Sequence, residues 1–488
     1  MNTSTANQKL SVVEKVGYSL GDLAANLVFQ TFVTFIAYYY TDVYGLAPDK
    51  AQWVIGTCGL LGGVVLAPII GILADRTRTR WGSYRPWVLF SSIPFAILIF
   101  LTFTTPNLGE NGKVIYAFTT LLLLMSLYTA NNLPYSAMSG VLTGNMAERN
   151  SLSSYRFVAV MVAQFIIQAL LRPLVLVMGD GDEAVGFEKV MQIFAVASLI
   201  CFVITFLTTK ERMQPEKSDN SIGQDIADLF SNLPWLIMLI SVILLFVNIA
   251  LKGGVYVYYF KYYADTHALT QFFDTIGFSQ LIANIQAAWP NFKWPKEPDA
   301  SAFGLFNGAG ILMMIVGIGL SKPLADRFGK RNVFGIGLFI STLFILAFIA
   351  IPRDAIGLMF TSQILHGFTY GVTIPLLWAM IADVADFSEW KNFRRATAII
   401  FSAMILGLKG GLAIGSSVLV GLLAGYGYER GLAIQADETI EGIKLIVSLY
   451  AAIPFFIICV LMFFYPINKK METQIENDLS DRRKAAGK

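Results

Sequence analysis

The hairpin sequence Gly71-Ile-Leu-Ala-Asp75-Arg76-Thr-Arg78-Thr-Arg80 returns far downstream as Pro323-Leu-Ala-Asp326-Arg327-Phe-Gly329-Lys330-Arg331. Each copy joins two long apolar segments, and the copies lie roughly half the chain apart. A Leu-Ala-Asp-Arg turn followed by cations, repeated in this way, indicates that the chain contains two related helical bundles, one after the other.

The composition points to lipid as the main solvent for both bundles. Of the 488 residues, 55% are hydrophobic and only 14% are charged, whereas soluble proteins carry about 25% charged residues. Apolar runs of about 20 residues, each long enough to cross a bilayer as a helix, recur along the chain. The sequence therefore predicts an all-α membrane protein with twelve transmembrane helices in two pseudo-symmetric six-helix bundles. The predicted spans are 18–41, 52–74, 87–105, 114–138, 154–178, 188–208, 233–260, 303–321, 333–351, 356–382, 397–425 and 443–465.

The distribution of cations sets the expected orientation. With the N-terminus inside, most Lys and Arg residues, such as Arg78 and Lys330, fall in cytoplasmic loops, and only scattered ones, such as Lys113 and Lys293, face the other side. This asymmetry follows the positive-inside rule, and an even number of spans returns both termini to the cytoplasm. We expect an integral protein of a bacterial inner (plasma) membrane, surrounded by the lipid bilayer.

A polar stretch separates six spans from six and sets the expected domain boundaries. The domains are an N-terminal bundle 1–213, a cytoplasmic linker 214–232, a C-terminal bundle 233–466 and a cytoplasmic tail 467–488. The C-terminal bundle carries an external insertion, 264–302, in which apolar residues follow helical spacing. This pattern predicts a helix in the outer interface or over the cavity mouth, and a surface loop without a role in transport is the competing interpretation.

Several classes of function lack a supporting motif. The sequence contains no GxxxxGK[ST] loop, it has only two histidines, and its three cysteines fall inside predicted spans. We therefore expect no enzyme, no ATP-driven pump, no metal site, no cofactor and no nucleic-acid partner. Two related bundles around a central cavity are typical of secondary transporters, and we expect a monomer with a small-molecule substrate.

Polar side chains recur at helical spacing inside several spans. Tyr18, Asp22, Asn26 and Gln30 follow at four-residue steps, and each step turns by only about 40°, so they form one stripe. Amides, hydroxyls and aromatic rings suit a sugar, although hydrogen bonds between helices use the same residue types. The predicted substrate-binding residues are Tyr18, Asn26, Gln30, Asn131, Asn132, Tyr135, Arg156, Gln164, Gln168, Arg172, Lys252, Tyr256, His366, Tyr370, Trp378 and Lys409.

Cations outnumber carboxylates among the ionisable residues of the spans. Arg156, Arg172, Lys252 and Lys409 fall within predicted spans, and Asp22 is the one carboxylate comparably placed. Ionisable groups at membrane depth are costly and usually face a bundle interior or a cavity. A positively charged cavity suits a carboxylate, so the sequence predicts an acidic sugar, such as a uronate or a short uronate oligosaccharide.

Five motifs extend over nearly the whole chain. They are Leu20-Gly21-Asp22, Asp75-Arg76-Thr-Arg78-Thr-Arg80-Trp81-Gly82 with Arg85-Pro86-Trp87, Leu133-Pro134-Tyr135, Tyr258-Tyr259-Phe260-Lys261-Tyr262-Tyr263 and Asp383-Val-Ala-Asp386-Phe-Ser-Glu389-Trp390-Lys391. Together they resemble the glycoside–pentoside–hexuronide:cation symporters, a branch of the major facilitator superfamily that includes melibiose permease. The resemblance implies the major facilitator fold and sugar uptake by alternating access, coupled to a cation.

The resemblance also implies roles for particular residues. Arg156 looks like the family's sugar-contacting arginine of the fifth span, and Lys409 looks like its eleventh-span lysine. Asn26 and Asn132 stand where the family has sugar-binding carboxylates. Acids are therefore replaced by amides while bases remain, which again favours an acidic sugar.

The coupling cation is expected to differ from that of many relatives. The family's second-span site places carboxylates just before a Pro-x-x-Gly, and this chain has Gly63 and Ala67 at those positions. Neither residue supplies a side-chain oxygen for sodium. We expect a transported proton more than sodium, and Asp22 is the leading candidate for the coupling residue.

Charged residues of the cytoplasmic hairpins are expected to form a gate that latches the bundles in the outward-open state. Simple topology signals are the competing interpretation. The predicted gate residues are Asp75, Arg76, Asp326, Arg327, Asp383, Asp386 and Arg394. Three other functions remain open from the sequence: an uncoupled sugar facilitator, a lysolipid or amphiphile transporter, and a transporter-like sugar sensor.

Overall fold

The computed structural model describes residues 9–143, 146–212, 232–290, 292–392 and 397–485. Twelve helices in these ranges are long and apolar enough to cross a membrane, which confirms the predicted all-α fold. The membrane helices and three shorter ones are, in chain order, α1 Val12–Val43, α2 Pro48–Ala74, α3 Arg85–Thr102, α4 Glu110–Leu142, α5 Ser151–Met178, α6 Glu183–Thr208, α7 Leu233–Tyr263, α8 Thr266–Thr275, α9 Phe278–Ala288, α10 Pro298–Phe328, α11 Lys330–Ile349, α12 Ile356–Lys391, α13 Ile400–Gly425, α14 Asp437–Phe464 and α15 Lys469–Ala485.

The helices fall into two compact units. The first unit holds α1 to α6 together with residues 276–304 and 416–434. The second unit holds residues 218–275, 305–415 and 435–488. Helices α10 and α13 therefore each contribute residues to both units. The predicted linker 214–232 lies outside the described residues except for Asn232.

Close helix crossings within each unit depend on glycine. A Cβ on Gly17 would lie 2.0 Å from Thr208 Oγ1, where α1 meets α6. In the second unit, a Cβ on Gly371 would lie 2.2 Å from the Met314 carbonyl oxygen, where α12 meets α10. Small residues at such crossings let membrane helices pack by van der Waals contact, because lipid offers them no hydrophobic driving force.

Helices α1 and α7 end alike, which agrees with the internal repeat. A π-helical turn covers Tyr39–Val43 in α1 and Tyr259–Tyr263 in α7. The N–H of Tyr44 donates to the Tyr39 carbonyl at 2.7 Å, and the N–H of Ala264 donates to the Tyr259 carbonyl at 3.0 Å. The first helix of each predicted bundle therefore ends in the same irregular turn. π-Turns of this kind occur often at functional sites.

The external insertion forms two short helices with different surroundings. Helix α8 buries Leu269 and Phe273 in the second unit. Helix α9 has no buried residue, and the side chains of Leu281 and Trp289 are 53% and 70% exposed. Helix α9 thus leaves apolar side chains exposed, as a helix in the membrane interface would. Its placement in the interface stays a prediction.

Candidate functional site

Asp22 on α1 and Arg156 on α5 form an ion pair inside the first unit. Arg156 Nε donates to Asp22 Oδ2 at 2.5 Å, and Nη2 donates to Oδ1 at 3.4 Å. The side chain of Asp22 is 7% exposed and that of Arg156 is 26% exposed. The predicted coupling carboxylate therefore neutralises a predicted substrate-binding cation, whose side chain stays partly exposed.

Two tyrosines hold this ion pair from one side. The rings of Tyr18 and Tyr135 stack with centroids 4.6 Å apart. The Tyr18 hydroxyl donates to the Tyr135 carbonyl at 2.7 Å, and the Tyr135 hydroxyl donates to the Tyr18 carbonyl at 2.6 Å. Arg156 Cζ lies 5.5 Å from both ring centroids, within the range of a cation–π contact.

The two tyrosines were predicted to contact substrate, and the structure gives them a different surrounding. Both side chains are 0% exposed, and each hydroxyl donates its hydrogen bond to the backbone carbonyl of the other tyrosine. They position the Arg156 guanidinium, and they offer no free face to a sugar. The four-residue spacing on α1 correctly predicted that Tyr18 and Asp22 lie on one face of the helix. It contains no information about the neighbouring helix, and α4 covers this face at Tyr18.

Four of the predicted amide side chains in the first unit stay partly exposed. Asn26, Asn132, Gln164 and Gln168 are each partly exposed. Asn26 Nδ2 donates to the carbonyl of Asp22 at 2.9 Å, and Gln168 Nε2 donates to Gln30 Oε1 at 3.5 Å. The second bond joins α1 to α5. These amides stay candidates for sugar hydroxyls.

Asn131 has a packing role in this structure. Its side chain is 1% exposed, and Nδ2 donates to Ser91 Oγ at 2.9 Å and to the Val88 carbonyl at 3.2 Å. These bonds tie α4 to α3, so Asn131 is not placed for the predicted contact with substrate. Interhelical hydrogen bonding, the competing interpretation for amides, applies here.

Arg172, predicted to bind substrate, is instead engaged by carboxylates. Arg172 Nη2 donates to Asp299 Oδ2 at 2.6 Å and lies 3.9 Å from Glu183 Oε1. The Arg172 side chain is 4% exposed, and its Cζ lies 5.5 Å from the ring centroid of Tyr38. The excess of cations over carboxylates is therefore smaller than the sequence indicated, because two of the four predicted cations have acidic partners.

Asp299 lies in the predicted external insertion, 264–302, but in the structure Pro298 and Asp299 begin helix α10. A Pro at the first helical position followed by an acidic residue in the first turn is a signal for a helix start. Glu183 likewise lies in the first turn of α6.

The second unit contains a cluster around Tyr256 and His366. The Tyr256 hydroxyl and Gln363 Oε1 form a hydrogen bond at 3.1 Å, and His366 Nδ1 lies 2.8 Å from Ser341 Oγ. Tyr256 is 2% exposed and His366 is 4% exposed. Both were predicted to bind the sugar, but in this structure their polar groups are hydrogen-bonded to other protein side chains. Gln363 and Ser341 are not among the residues predicted from the sequence. Gln363 lies three residues before His366 and seven before Tyr370, a helical spacing that could have indicated it, whereas Ser341 shows no comparable pattern.

Lys252 borders this cluster, with Nζ 5.6 Å from the ring centroid of Tyr256. It forms no ion pair with a carboxylate in the part of the chain that the structure describes. Tyr370 and Lys409 are partly exposed and Trp378 is 36% exposed. These four side chains remain candidate substrate contacts on the second unit.

The predicted cytoplasmic gate is only partly described. Lys330 Nζ donates to Asp383 Oδ1 and Oδ2 at 2.5 and 2.6 Å and lies 3.9 Å from Glu472 Oε2. Burial raises the pKa of Glu472, and Lys330 opposes that shift. Arg394 and the Asp75 side chain lie outside the described residues. The side chains of Arg76, Asp326, Arg327 and Asp386 are exposed.

The family's cation position in α2 is packed against protein. Gly63 and Ala67 are both buried, and the Thr129 hydroxyl donates to the neighbouring Gly62 carbonyl at 2.9 Å. Across the described ranges, no group of three His, Cys, Asp or Glu side chains is arranged to hold a metal ion.

The fold and the repeated bundles are those of a membrane transporter. The structure resembles the crystal structure of the nucleoside transporter NupG with a TM-score of 0.60 and 16% identity, covering 92% of this chain and 99% of that one. The sequence matches the family described as MFS/sugar transport protein over residues 17–294 and 296–469. The chain belongs to this family, which confirms the resemblance stated from its motifs.

Three relatives cover nearly the whole chain. The inner membrane symporter YicJ of Escherichia coli (strain K12) is 31% identical, over 93% of this chain and 91% of its own length. The isoprimeverose transporter of Lactiplantibacillus pentosus is 29% identical, over 98% and 95%. The glucuronide carrier protein homolog of Escherichia coli (strain K12) is 26% identical, over 98% and 97%.

Proposed function

We propose that this protein imports a sugar or glycoside that carries a carboxylate, by alternating access coupled to a proton, across a bacterial inner membrane. The observation that carries the proposal is the two-point ion pair of Asp22 and Arg156. A guanidinium that is neutralised by a carboxyl group, on a side chain that stays partly exposed, can exchange one carboxylate for another.

The proposed cycle begins with protonation of Asp22. A neutral Asp22 no longer balances the charge of Arg156, so the guanidinium becomes available to the substrate carboxylate. Tyr18 and Tyr135 keep Arg156 in place during this exchange, since their stack is fixed by reciprocal hydrogen bonds. Proton and anionic sugar then bind cooperatively, and loss of the proton on the inner side restores the ion pair and releases the sugar.

Two further observations support an acidic substrate. Lys252 in the second unit has no acidic partner among the described residues, so a second cation is available on that unit. A relative that aligns with nearly the whole chain is named as a glucuronide carrier homolog.

Proton coupling is supported by the absence of side-chain oxygens at Gly63 and Ala67. We keep the predicted orientation, with both termini in the cytoplasm, and the predicted monomer.

A neutral glycoside is the second candidate substrate. The pairing of Arg172 with Asp299 removes part of the cation excess, and a relative is named as an isoprimeverose transporter. In that case Asp22 and Arg156 would both bind sugar hydroxyls, and the ion pair would open without a change of net charge.

The test compares two sugars that differ at one group. Purified protein in proteoliposomes takes up labelled p-nitrophenyl β-glucuronide, and unlabelled p-nitrophenyl β-glucuronide or β-glucoside is added as competitor. We expect competition by the glucuronide only, and accumulation driven by an inward proton gradient but not by a sodium gradient. Equal competition by the glucoside contradicts the acidic substrate. Binding without accumulation under either gradient contradicts coupled transport and favours a facilitator or a sensor.

A further inference from the structure

A groove runs along the second unit between α11 and α14. Its volume is about 440 Å³, and its walls include Ile336 and Phe339 from α11 and Phe456, Val460 and Phe463 from α14. These five side chains are between 41% and 82% exposed. The groove is therefore an apolar furrow on the outside of the unit, between two helices that are long and apolar enough to cross a membrane.

A smaller, charged pocket of about 280 Å³ adjoins one end of the groove. Arg331 and Asn332 line both, and Lys469 and Lys470 complete the basic side of the smaller pocket. Arg331 Nη1 donates to the Tyr465 carbonyl at 3.0 Å, and Lys469 Nζ donates to the Asp326 carbonyl at 2.6 Å. These bonds fix two of the cations without neutralising them.

The positive charge of this pocket is only partly balanced within the described part of the chain, where Glu472 interacts electrostatically with Lys469. Arg331, Lys469 and Lys470 form no ion pair with a carboxylate in the described part of the chain. The nearby Lys330 forms its ion pairs with Asp383 and Glu472. All three cations also lie in the first turns of α11 and α15. A helix dipole disfavours cations at that end, so an anion bound between them is favoured by both charges and dipoles.

We propose that this groove and its basic end, together called the lipid groove, bind one anionic phospholipid. An acyl chain lies along Ile336, Phe339, Phe456, Val460 and Phe463, and the phosphate rests against Arg331, Lys469 and Lys470. The positive-inside prediction places this end in the cytoplasmic leaflet. Basic pockets beside membrane helices on that side suit anionic headgroups. The bound lipid would join α15 to the ends of α11 and α14, and this inference does not depend on which sugar is transported.

The test is native mass spectrometry of the full-length protein in detergent. Phosphatidylglycerol and phosphatidylethanolamine with identical acyl chains are titrated separately, and glycerol 3-phosphate serves as a headgroup without chains. We expect one phosphatidylglycerol to bind at lower concentration than phosphatidylethanolamine, and no binding of glycerol 3-phosphate in the same range. Replacement of Arg331, Lys469 and Lys470 by Gln should weaken phosphatidylglycerol binding by about fivefold for each cation removed.

Matched variants separate this site from general attraction to the membrane protein surface. Lys322→Gln removes an exposed cation that lines neither pocket, and Val196→Trp enlarges an exposed apolar side chain on α6. Both should bind phosphatidylglycerol as the unchanged protein does, whereas Val460→Trp should weaken it by filling the groove. Equal binding of the two lipids, or a triple Gln variant that binds like Lys322→Gln, overturns the proposal. Tight binding of glycerol 3-phosphate also overturns it, because the site would then be a simple phosphate site.

Discussion

Arg172 and Asp299 join α5 to the first turn of α10 through a hydrogen-bonded ion pair of 2.6 Å. The Arg172 side chain is 4% exposed, and its Nε and Nη1 find no hydrogen-bond partner among the described residues. The Arg172 charge therefore depends on Asp299, with Glu183 further away at 3.9 Å. Residues 298–304 share the first unit with α5, and the rest of α10 belongs to the second unit.

Asp299→Ala should destabilise the protein markedly, because it leaves a buried cation without its close partner. Removal of one member of a buried pair costs about 3–5 kcal/mol. The measurement is the melting temperature in detergent, with hydrogen exchange of residues 298–304 as a local readout, which should become faster. Glu441→Ala is the control, since the carboxylate of Glu441 is 53% exposed in its pair with Lys444, and it should change the melting temperature far less. Equal behaviour of the two variants contradicts a structural role for Asp299.

Asp22→Asn should uncouple sugar movement from the proton gradient. The amide cannot exchange a proton at physiological pH, yet it keeps a similar shape beside Arg156, so energy-independent counterflow should persist. The measurements are accumulation under an inward proton gradient and counterflow without one. Asp42→Asn is the matched control at the other end of α1, where Asp42 contacts Thr41 and Tyr428, and it should still accumulate sugar. Gradient-driven accumulation by Asp22→Asn would show that another group carries the proton.

The membrane architecture could be predicted because lipid imposes a simple rule on sequence. A helix that crosses the bilayer must be apolar over about 20 residues, and each of the twelve expected spans overlaps a helix in the structure. The spacing of Tyr18 and Asp22 also placed both on the side of α1 that meets Arg156. Period and length are local properties, so the sequence contains them directly.

The pairing of ionisable groups could not be predicted in the same way. Arg172 and Asp299 are 127 residues apart in the chain, and nothing local indicates that they meet. The sequence therefore overestimated the positive charge available to a substrate. Burial of Tyr18, Tyr135 and Tyr256 was missed for a similar reason, since an aromatic side chain on a polar stripe can face either a cavity or a neighbouring helix.

Arg156→Lys should weaken the acidic sugar selectively. Lysine keeps the charge but loses the planar fork that binds a carboxylate at two points. We expect the KM for p-nitrophenyl β-glucuronide to rise at least about tenfold, equivalent to about 1.4 kcal/mol, with a smaller change in melting temperature. Arg212→Lys alters another two-point pair, which Arg212 forms with Glu14 at 2.6 and 2.9 Å. It should affect stability without changing the KM, and an equal rise in KM for both variants would deny Arg156 a direct role.

Gly21→Ala should disturb the support of Arg156 by steric overlap alone. A Cβ at this position would lie 2.3 Å from the ring of Tyr135, and the buried ring cannot move without breaking its stack on Tyr18. Overpacking of this kind costs about 1–3 kcal/mol. Gly140→Ala is a matched helical control, because a Cβ there meets nothing within 4 Å. We expect a lower melting temperature and loss of uptake for Gly21→Ala only. Normal uptake by both variants would mean that the Tyr18–Tyr135 stack is not needed.

Lys330 and Asp383 provide the clearest test of the predicted cytoplasmic gate. The ion pair joins α11 to α12, with side chains 28% and 18% exposed, and Glu472 on α15 lies near the same Lys330. Asp383→Asn should weaken this cluster and lower transport, because Lys330 loses its close charged partner and keeps only the more distant Glu472. A double-mutant cycle of Lys330→Ala and Asp383→Ala should give a coupling of about 0.5–3 kcal/mol.

Asp326→Asn is the control within the predicted gate. The side chain of Asp326 is exposed, and Lys469 donates to the backbone carbonyl of Asp326, which the substitution leaves in place. If Asp326→Asn impairs transport as much as Asp383→Asn, the hairpin charges act together as a gate. If it has no effect, the function of this region rests on the Lys330 cluster.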